Sequence, residues 1–483
     1  MKKIKIKCMD QIVLREGQQR AFDKIVDFIR NDQAKVFILK GYAGTGKTTM
    51  MKVLIEELKR RNLLYLLLAS TGRASKILSN ATGKKTSTIH GAIYHFQDLN
   101  QDMEEVVKKR NETEIDSTGQ IFITFGLDTV LRLDDEVCYY IVDESSMVSD
   151  KVDKMATQAL FGSGRLLKDL LEYDPNGKFI FIGDACQLPP VQQKISPALS
   201  IEYFKNVFDI EAEEVELTDI VRQREGNDLI LASQRLRKLY HNPPEIKWAK
   251  FPFKGYKNIE LLSSQAELIG RYIEDVKSKG FNYSSILCYS NKQCDMLTRL
   301  LRPMLGINSQ QLAAGDLLLV TQNNNLSGLM NGDVVTVQQV VVKEQRAGLT
   351  FLKVSVKELF TGKEYSQLMI ADVLYGNQTN LTQSQQKELF IDFFIRMKNQ
   401  GLRQKDDAFK SMMIKDPYLN ALRAVFGYAL TCHKAQGGEW EHIYLDVPRN
   451  FPLVEKPYVY QWMYTAMTRA KYKMFTINDF WVE

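Results

Sequence analysis

The stretch Val36–Thr48, VFILKGYAGTGKT, decides the fold. Its apolar start, Val36–Leu39, has the length and composition of a buried parallel strand, and Thr48–Arg61 has a helical pattern. Gly41–Thr48 lies between them and satisfies the pattern G-x-x-x-x-G-K-[ST]. Because glycines let backbone N–H groups wrap a phosphate chain and the next helix directs its positive end at it, we predict a phosphate-binding loop. The alternative is a glycine-rich turn without a ligand.

The loop predicts specific contacts with a nucleoside triphosphate. Lys47 is expected to reach the β- and γ-phosphates, and the Thr48 hydroxyl is expected to ligate Mg²⁺. The same loop and the first helical turn supply the remaining predicted nucleotide contacts, Gly44, Thr45, Gly46 and Thr49. ATP and Mg²⁺ are therefore the expected substrate and cofactor.

Three further apolar runs follow in the first half, at Leu63–Ala69, Tyr139–Val142 and Phe179–Ile182. Helical patterns separate them, and strands that alternate with helices predict a doubly wound parallel α/β sheet. In such a sheet the functional groups collect at the carboxyl ends of the strands. The polar residues that follow each run are therefore expected to form one site.

Two of these strand ends carry candidate groups for ATP hydrolysis. Asp143 and Glu144 follow the third run, where Asp143 can hold Mg²⁺ and Glu144 can activate the attacking water. Gln187 follows the fourth run and is placed to sense the γ-phosphate. Taken alone, adjacent carboxylates are more often a solvated turn, but their position after a buried strand downstream of a phosphate loop favours the catalytic interpretation.

Length and composition limit the alternatives. A chain of 483 residues exceeds the roughly 250–300 residues of a single core, so at least two domains are expected. The net charge of +6 permits a polyanionic partner without requiring one, and the six cysteines contain no C-x-x-C pair. The basic start lacks a following apolar segment, and no run is long enough to cross a membrane. We expect a soluble protein of the cytoplasm, associated with the nucleoid, or of the host cytoplasm if a phage encodes it.

The second half repeats the alternation of strands and helices, from Ser285–Tyr289 to Lys473–Ile477. If ATP lies between two lobes, this half must supply cations to the γ-phosphate, and Arg222 and Arg469 are the candidates. Two stretches interrupt the alternation: a polar segment at Tyr94–Asp135 and a β-rich segment at Gly315–Val342 with turn signals at Asn-Gly and Ala-Gly. Both are interpreted as insertions.

The motifs occur in the order found in superfamily-one helicases of the RecD/Dda type, the branch that moves 5′ to 3′, and the chain resembles that family over about half of its length. Beyond the phosphate loop, the resemblance rests on Gln18, which looks like the adenine-reading glutamine, and on the segments 69–74, 86–90, 143–147, 183–191, 217–223, 431–437 with Glu439, and 464–469. The segments 94–135 and 343–424 match no motif of the family closely.

The resemblance implies an α/β fold of two RecA-like doubly wound parallel-sheet lobes, with a small wedge insertion and an SH3-like β-barrel insertion. The expected domains are residues 1–93 with 136–200 for the first lobe, 94–135 for the wedge, 201–305 with 424–483 for the second lobe, and 306–423 for the SH3-like insertion with its helical extension.

The resemblance also completes the candidate site residues. It adds Gln18, Gly437 and Glu439 to the nucleotide site, beside Gln187, Arg222 and Arg469. The expected DNA contacts are strand-end hydroxyls, basic groups and an aromatic ring that could stack on a base: Ser70, Thr71, Thr88, His90, Phe96, Pro189, Asn291, Thr431, His433 and Lys434. For His90, His433 and Phe96, a structural role in packing is the competing interpretation.

The implied function is an ATP-dependent DNA helicase that translocates 5′ to 3′ on single-stranded DNA and unwinds duplex, in replication, repair or recombination. The expected partners are single-stranded DNA, DNA forks and single-strand-binding or replication and repair proteins, and the chain is expected to act as a monomer without a membrane. One alternative is a DNA-stimulated ATPase that displaces proteins or remodels DNA without processive unwinding. Another is a DNA-binding module with a decayed ATP site. A P-loop kinase or transport ATPase would lack the motifs at 431–437 and 464–469.

Overall fold

The computed structural model describes residues 13–112, 119–130, 136–152, 159–219, 227–376 and 378–483. Strands and helices are numbered in chain order. The helices are α1 (Glu16–Arg30), α2 (Lys47–Arg60), α3 (Gly72–Thr82), α4 (Ile89–Ile93), α5 (Met103–Glu112), α6 (Leu166–Tyr173), α7 (Ile201–Phe208), α8 (Leu229–His241), α9 (Gln265–Lys279), α10 (Asn291–Met304), α11 (Ala371–Tyr375), α12 (Gln383–Asn399), α13 (Asp407–Lys415), α14 (Cys432–Ala435) and α15 (Tyr458–Met467). Short 3₁₀ helices cover Ser145–Met147, Pro197–Leu199 and Phe451–Leu453.

The first lobe is built on a six-stranded sheet in the order β3-β2-β6-β8-β1-β9, with every pair parallel. Its strands are β1 (Val36–Gly41), β2 (Leu64–Ala69), β3 (Thr86–Thr88), β6 (Cys138–Asp143), β8 (Lys178–Gly183) and β9 (Ala212–Leu217). Side chains from successive strand positions enter two separate apolar clusters, one on each face of the sheet. Helices therefore cover both faces, as the continuous apolar strands predict.

The second lobe is built on a five-stranded parallel sheet in the order β10-β19-β18-β11-β17. Its strands are β10 (Ile259–Leu262), β11 (Ser284–Cys288), β17 (Ala429–Thr431), β18 (Trp440–Asp446) and β19 (Ala470–Ile477). The core of this lobe contains Trp440, Trp462 and Trp481, and the fourth tryptophan, Trp248, also lies in the second half of the chain. The predicted α/β class with parallel sheets is confirmed.

An antiparallel sheet in the order β15-β14-β13-β12-β16 lies between the halves of the second lobe. Its strands are β12 (Leu317–Val320), β13 (Val334–Arg346), β14 (Leu349–Glu358), β15 (Glu364–Ile370) and β16 (Ala424–Phe426). Ala347 and Gly348 have φ angles of 50° and 71° and form the two-residue turn between β13 and β14. The β-rich character of this insertion is confirmed, and its assignment as an SH3-like barrel stays a prediction.

The segment predicted as a wedge contains β4 (Tyr94–Leu99) and β5 (Ile123–Leu127), which form a small sheet with β7 (Ala159–Phe161). This segment packs against other parts of the chain. Apolar side chains of this segment share a core with the β13–β14 turn and with helices α12 and α13, a cluster that we call the shared core: Leu99, Met103, Val106 and Ile121 from one side, and Leu349, Phe351, Phe390, Phe394, Phe409 and Met413 from the other. The backbone N–H of Met103 also donates to Gln404 Oε1 at 2.9 Å.

Two predicted domain boundaries divide elements that the structure joins. The boundary between residues 200 and 201 is too early, because β9 pairs with β1 in the first sheet and Lys40 forms a 2.5 Å ion pair with Glu214. The boundary at 424 is a few residues early as well, because β16 belongs to the antiparallel sheet and the second lobe resumes at β17. The structure supports boundaries after Leu217 and after Phe426.

Within the described part of the chain, every helix is too short or too polar to cross a lipid bilayer. Five of the six cysteines fall in that part, and all five are buried thiols without a disulfide: Cys138, Cys186, Cys288, Cys294 and Cys432.

The carboxylate of Asp275 on α9 makes the stability of the second lobe depend on pH. Burial alone would raise the pKa of Asp275, but hydrogen bonds from Tyr444, His442 and Lys279 outweigh it and lower the pKa to about 2. A lowered pKa in the folded state stabilises the fold above the unfolded value of about 3.9. That contribution is lost as the pH falls from about 4 to about 2, and it amounts to about 2–3 kcal/mol.

We expect Asp275→Asn to weaken the loss of stability between about pH 4 and about pH 2. Urea unfolding followed by tryptophan fluorescence measures this, because all four tryptophans lie in the second half of the chain. Asp295→Asn, an exposed carboxylate on α10, is the control and should leave the pH dependence as in the wild type. An Asp275→Asn protein with the pH profile of the wild type would contradict the assignment.

Candidate active site and nucleic-acid interface

The phosphate loop follows β1 and leads into α2. Gly44 and Gly46 have φ angles of 81° and 88°, a left-handed backbone that favours glycine, and Gly46 caps the N-terminus of α2. The Lys47 ammonium lies over the loop and donates to the backbone oxygens of Gly41 at 2.7 Å and Tyr42 at 3.2 Å. Thr48 is exposed at the start of the helix, beside Thr49. The loop thus has the conformation that its glycines predict.

Gln18 on α1 is bound to the phosphate loop. Its side chain is 2% exposed, and Nε2 donates to the backbone oxygen of Thr45 at 3.2 Å. Its Oε1 accepts the backbone N–H of Arg15 at 3.1 Å, so both ends of the amide have protein partners. The structure brings Gln18 and Thr45 together, and the adenine-reading role of Gln18 stays a prediction.

The carboxylate pair lies at the carboxyl end of β6. Burial and, second, the negative charge of Glu144 raise the pKa of Asp143 to about 7, while the charge of Lys47 acts in the opposite direction. Glu144 has a φ of 50°, which is unusual for a residue other than glycine and costs about 1–3 kcal/mol. The packing around the Ser145–Met147 turn holds this strained backbone, since the Ser145 hydroxyl donates to the Val142 carbonyl at 2.7 Å. The Asp143 carboxylate therefore lies close enough to Lys47 for the two charges to interact.

The loop Asp184–Leu188, which we call the Asp184 loop, follows β8. The Asp184 carboxylate accepts the backbone N–H of Cys186 at 3.0 Å and is 1% exposed. Gln187 is 3% exposed, and its Oε1 has no hydrogen-bond partner among the described residues. Because a buried amide oxygen without a partner is unfavourable, this atom fits a role in contacting a ligand or a water molecule.

A cavity of about 280 Å³ lies between the two lobes. From the first lobe, Ala43 and Gly44 of the phosphate loop line it, and from the second lobe it is lined by residues including Glu439, Met467, Thr468 and Ala470. The residues on both sides of Arg469 therefore face the phosphate loop across one cavity. The lobes thus enclose a space beside the phosphate loop, but Lys47, Glu144 and Arg469 do not line it, and the sandwich of a triphosphate between the lobes stays a prediction.

Arg469 is 4% exposed and is bound within its own lobe. Its guanidinium donates to the backbone oxygens of Thr465 at 3.1 Å and Gly438 at 3.4 Å, and to the Thr468 hydroxyl at 3.2 Å. A contact with a γ-phosphate would require it to exchange these partners. The other predicted cation, Arg222, lies outside the described residues.

The two other second-lobe candidates for nucleotide binding, Glu439 and Gly437, have different neighbours. Glu439 lines the cavity and is 3.9 Å from the ammonium of Lys471. Gly437 has a φ of 74°, and a Cβ there would lie 3.6 Å from that of Ala74 and 3.8 Å from the Thr71 hydroxyl. The structure thus places Gly437 against the first lobe at the start of α3.

The DNA candidates of the first lobe gather at one sheet edge. Ser70 and Thr71 follow β2, Thr88 ends the neighbouring β3, and Ala69 is paired with Thr88 in the register. Thr71 and Thr88 cap α3 and α4 with their hydroxyls, at 3.2 and 3.1 Å from backbone N–H groups. The Ser70 hydroxyl is buried and has no partner among the described residues.

The DNA candidates of the second lobe gather at the corresponding edge of its sheet. Thr431 ends β17 opposite Cys288 at the end of β11, and Asn291 is exposed three residues beyond that strand. His433 and Lys434 follow on α14, and burial lowers the pKa of both. Since Gly437 of the same segment lies close to Thr71, the two sets of candidates face the same junction between the lobes.

Three further DNA candidates are packed into the protein. The ring centre of His90 lies 5.7 Å from that of Tyr94 and 5.1 Å from that of Phe161. Burial lowers the pKa of His90 to about 4. Phe96 is half-buried and packs edge to face on Phe125 at 6.0 Å. Pro189 is buried directly after the Asp184 loop. For His90 and Phe96 these contacts agree with the competing interpretation, a role in packing.

Two family models match the chain. The model described as "AAA domain" matches residues 13–248, and the model described as "UvrD-like helicase C-terminal domain" matches residues 426–476. The chain is 43% identical over 81 residues to the ATP-dependent DNA helicase dda of Enterobacteria phage T4. This match covers 17% of this chain and 18% of that protein. It is 23% identical over 452 residues to the ATP-dependent RecD2 DNA helicase of Deinococcus radiodurans, which covers 92% of this chain and 47% of that protein.

The chain belongs to the superfamily-1B helicases of the RecD/Dda type. It spans less than half the length of each of the two relatives. A crystal structure of a Pif1 helicase from Bacteroides, in complex with ADP-AlF3 and single-stranded DNA, is 17% identical with a TM-score of 0.49 and covers 97% of this chain and 93% of that chain.

The donor set of this superfamily-1B protein fits a magnesium ion that ATP brings with it. The described residues contain no cluster of three histidine, cysteine or acidic side chains that could hold a metal by itself. Mg²⁺ is commonly bound by one or two protein oxygens together with phosphates and water. Thr48 and Asp143 supply oxygens of this kind, and the ion would balance negative charge on the phosphates.

Sequence reasoning missed several contacts that hold this superfamily-1B site together. Tyr464 and Arg237 of the second lobe both reach the phosphate loop, where the Arg237 guanidinium lies 3.4 Å from the ring centre of Tyr42. Lys76 on α3 bridges two buried carboxylates of the antiparallel sheet, Asp333 at 2.5 Å and Glu358 at 3.0 Å. Tyr464 lies in a quoted motif, which is a usable signal, but Arg237 and Lys76 lie in ordinary helical sequence.

Proposed function

We propose that this chain is an ATP-dependent DNA helicase that moves 5′ to 3′ along single-stranded DNA and unwinds duplex ahead of it. The observation that carries the proposal is the cavity shared by the phosphate loop and by the residues that flank Arg469. A triphosphate in that position contacts both lobes, so its binding and hydrolysis can change the distance between them.

The proposed chemistry divides between the lobes. Lys47 and the backbone N–H groups of the phosphate loop bind the phosphates, and Glu144 orients the attacking water and accepts its proton. Gln187 contacts the γ-phosphate through the amide oxygen that lacks a partner. Arg222 and Arg469 stabilise the charge that develops during hydrolysis.

Single-stranded DNA is the proposed track. The two groups of strand-end hydroxyls, at Thr71 and Thr88 in one lobe and at Thr431 in the other, lie at corresponding sheet edges and face one junction. Hydroxyls, backbone N–H groups and the basic groups of α14 bind phosphates without reading bases, as a motor requires. Closure and opening of the cleft would then alternate the grip of the two lobes on the strand.

The inserted segments complete the proposal. We propose that the segment 94–135 splits the duplex and that the antiparallel sheet guides the DNA as an SH3-like module. The shared core supports a mechanical role, because it fixes the splitting segment to the helices α12 and α13 rather than leaving it as a mobile loop. We also propose that the protein works as a monomer on forked DNA.

The decisive experiment measures ATP hydrolysis with and without single-stranded DNA, followed by unwinding of duplexes that carry a single-stranded tail on the 5′ or the 3′ side. We expect hydrolysis to rise with DNA and the 5′-tailed duplex to be unwound faster. Lys47→Ala, which removes the predicted phosphate ligand, is the control for contaminating activity. Equal or faster unwinding from a 3′ tail would overturn the direction, and stimulated hydrolysis without strand separation would favour the alternative, a remodelling ATPase.

A further inference from the structure

One face of α15 forms hydrogen bonds to the Asp184 loop across the boundary between the lobes. Gln461 Nε2 donates to the Gln187 carbonyl at 2.9 Å, and the Thr465 hydroxyl accepts the backbone N–H of Leu188 at 2.9 Å. From the end of α14, Gln436 Nε2 donates to the Leu188 carbonyl at 3.1 Å. These bonds hold the backbone that directly follows the Gln187 Cα, so a shift of α15 would be transmitted to this loop.

Tyr464 lies on the same face and reaches further into the first lobe. Its hydroxyl donates to Asp184 Oδ2 at 2.6 Å and accepts the backbone N–H of Ala43 at 3.3 Å. One oxygen atom of the second lobe therefore touches both the phosphate loop and the Asp184 loop. The side chain is 1% exposed, and burial together with Asp184 raises its pKa well above the usual value, so the hydroxyl keeps its proton at neutral pH.

A continuous set of contacts links Tyr464 to the candidate DNA residues of the second lobe. α14, which carries His433 and Lys434, packs against α15, and the Cys432 thiol lies 3.7 Å from the Trp462 carbonyl. At its other end α15 stops at Met467, two residues before Arg469. If bound DNA displaces α14, the movement would thus be transmitted to the nucleotide cavity through the short helix α15.

We propose that Tyr464 is a positioning residue that transmits DNA binding in the second lobe to the phosphate loop and the Asp184 loop, and so sets how strongly DNA stimulates ATP hydrolysis. The inference rests on the proposed function, because it concerns the regulation of the same site. The hydroxyl acts through the placement of Ala43 and Asp184, and it neither contacts the phosphates nor transfers a proton.

The test is Tyr464→Phe in the full chain, with kcat and KM for ATP measured with and without saturating single-stranded DNA. The ring is retained, while the bond to the charged Asp184 and the bond from the Ala43 N–H are both lost. The first of these alone corresponds to about a tenfold change or more. We expect the ratio of stimulated to unstimulated kcat to fall about tenfold, with KM for ATP changed much less. Tyr458→Phe removes a hydroxyl six residues earlier on the same helix and should leave that ratio as in the wild type.

A second variant, Asp184→Asn, weakens the same contact from the other lobe. The ratio should fall again, and the double variant should lose less than the product of the two single effects, because both remove one interaction. This variant also decides the matter if Tyr464→Phe fails to fold.

Several outcomes would overturn the inference. The first is an unchanged stimulation ratio in Tyr464→Phe or, if that variant does not fold, in Asp184→Asn. The second is a fall of kcat that is equally large with and without DNA. The third is a fall of the stimulation ratio in Tyr458→Phe as large as in Tyr464→Phe. A wild-type protein whose hydrolysis does not respond to DNA would instead overturn the proposed function, and this inference with it. A stimulated wild type with unchanged variants would overturn this inference alone.

Discussion

Glu144→Gln is expected to lower kcat for ATP hydrolysis by about 10²–10⁴-fold, the usual contribution of a positioned general base. The amide retains the size of the carboxylate but cannot accept the proton of the attacking water. Because Lys47 and the phosphate loop are unchanged, binding of ATP and of single-stranded DNA should stay within a few-fold of the wild type. Steady-state hydrolysis and fluorescence anisotropy with a labelled oligonucleotide measure the two properties separately.

Glu56→Gln is the matched control for this variant. Glu56 lies on α2 in the same lobe, where it forms a partly exposed ion pair with Lys59 at 2.6 Å, so its loss should leave kcat within about twofold. Hydrolysis near the wild-type rate in Glu144→Gln would remove Glu144 from the catalytic assignment. A loss of ATP binding in that variant would show instead that the strained turn at Glu144 had been disturbed.

Arg302→Met is expected to destabilise the second lobe by about 3–5 kcal/mol, the effect of breaking a buried ion pair by removing one partner. Two guanidinium nitrogens of Arg302 donate to the Asp316 carboxylate, each at 2.8 Å, and Asp316 is fully buried. The Tyr428 hydroxyl and the Ala313 backbone N–H also donate to that carboxylate, at 2.8 Å each, but they carry no charge. The variant therefore leaves a buried negative charge without its cation.

Urea unfolding followed by tryptophan fluorescence measures the loss, because α10 packs into the core that contains the tryptophans. Arg449→Met is the control: Arg449 is 82% exposed beside Asp479, and pairs of this kind contribute about 0–1 kcal/mol. The double variant Arg302→Met, Asp316→Leu should regain much of the stability, since it removes the unpaired charge. A loss below about 1 kcal/mol for Arg302→Met would contradict the expected role of the pair.

The parts of the fold that could be predicted from the sequence are those with a strong local signal. β1, β2, β6 and β8 are continuous apolar runs that end in polar residues, because strands buried on both faces need apolar side chains throughout. β9 has no such signal. Its sequence AEEVEL leaves most positions partly exposed at the sheet edge, so only its pairing with β1 assigns it to the first lobe.

In the candidate site, too, some features could be predicted from local sequence and others could not. The phosphate loop and the carboxylate pair were predictable because glycines and acidic residues follow strands at fixed spacing. The contacts of Tyr464 with Ala43 and Asp184 join residues 421 and 280 positions apart, which no local pattern reports. The same holds for Lys76 and its two carboxylates, since their pairing depends on how the antiparallel sheet is placed against α3.

The shared core also has a consequence for synthesis on the ribosome. Its first half ends at Ile121 and its second half begins at Leu349, 228 positions later in the chain. At a translation rate of about 5–20 residues per second, Met103 and Val106 wait roughly 12–60 s for the side chains that cover them, which lie between Leu349 and Met413. The nascent chain thus carries an uncovered apolar surface through much of translation, which favours engagement by chaperones before α12 and α13 emerge.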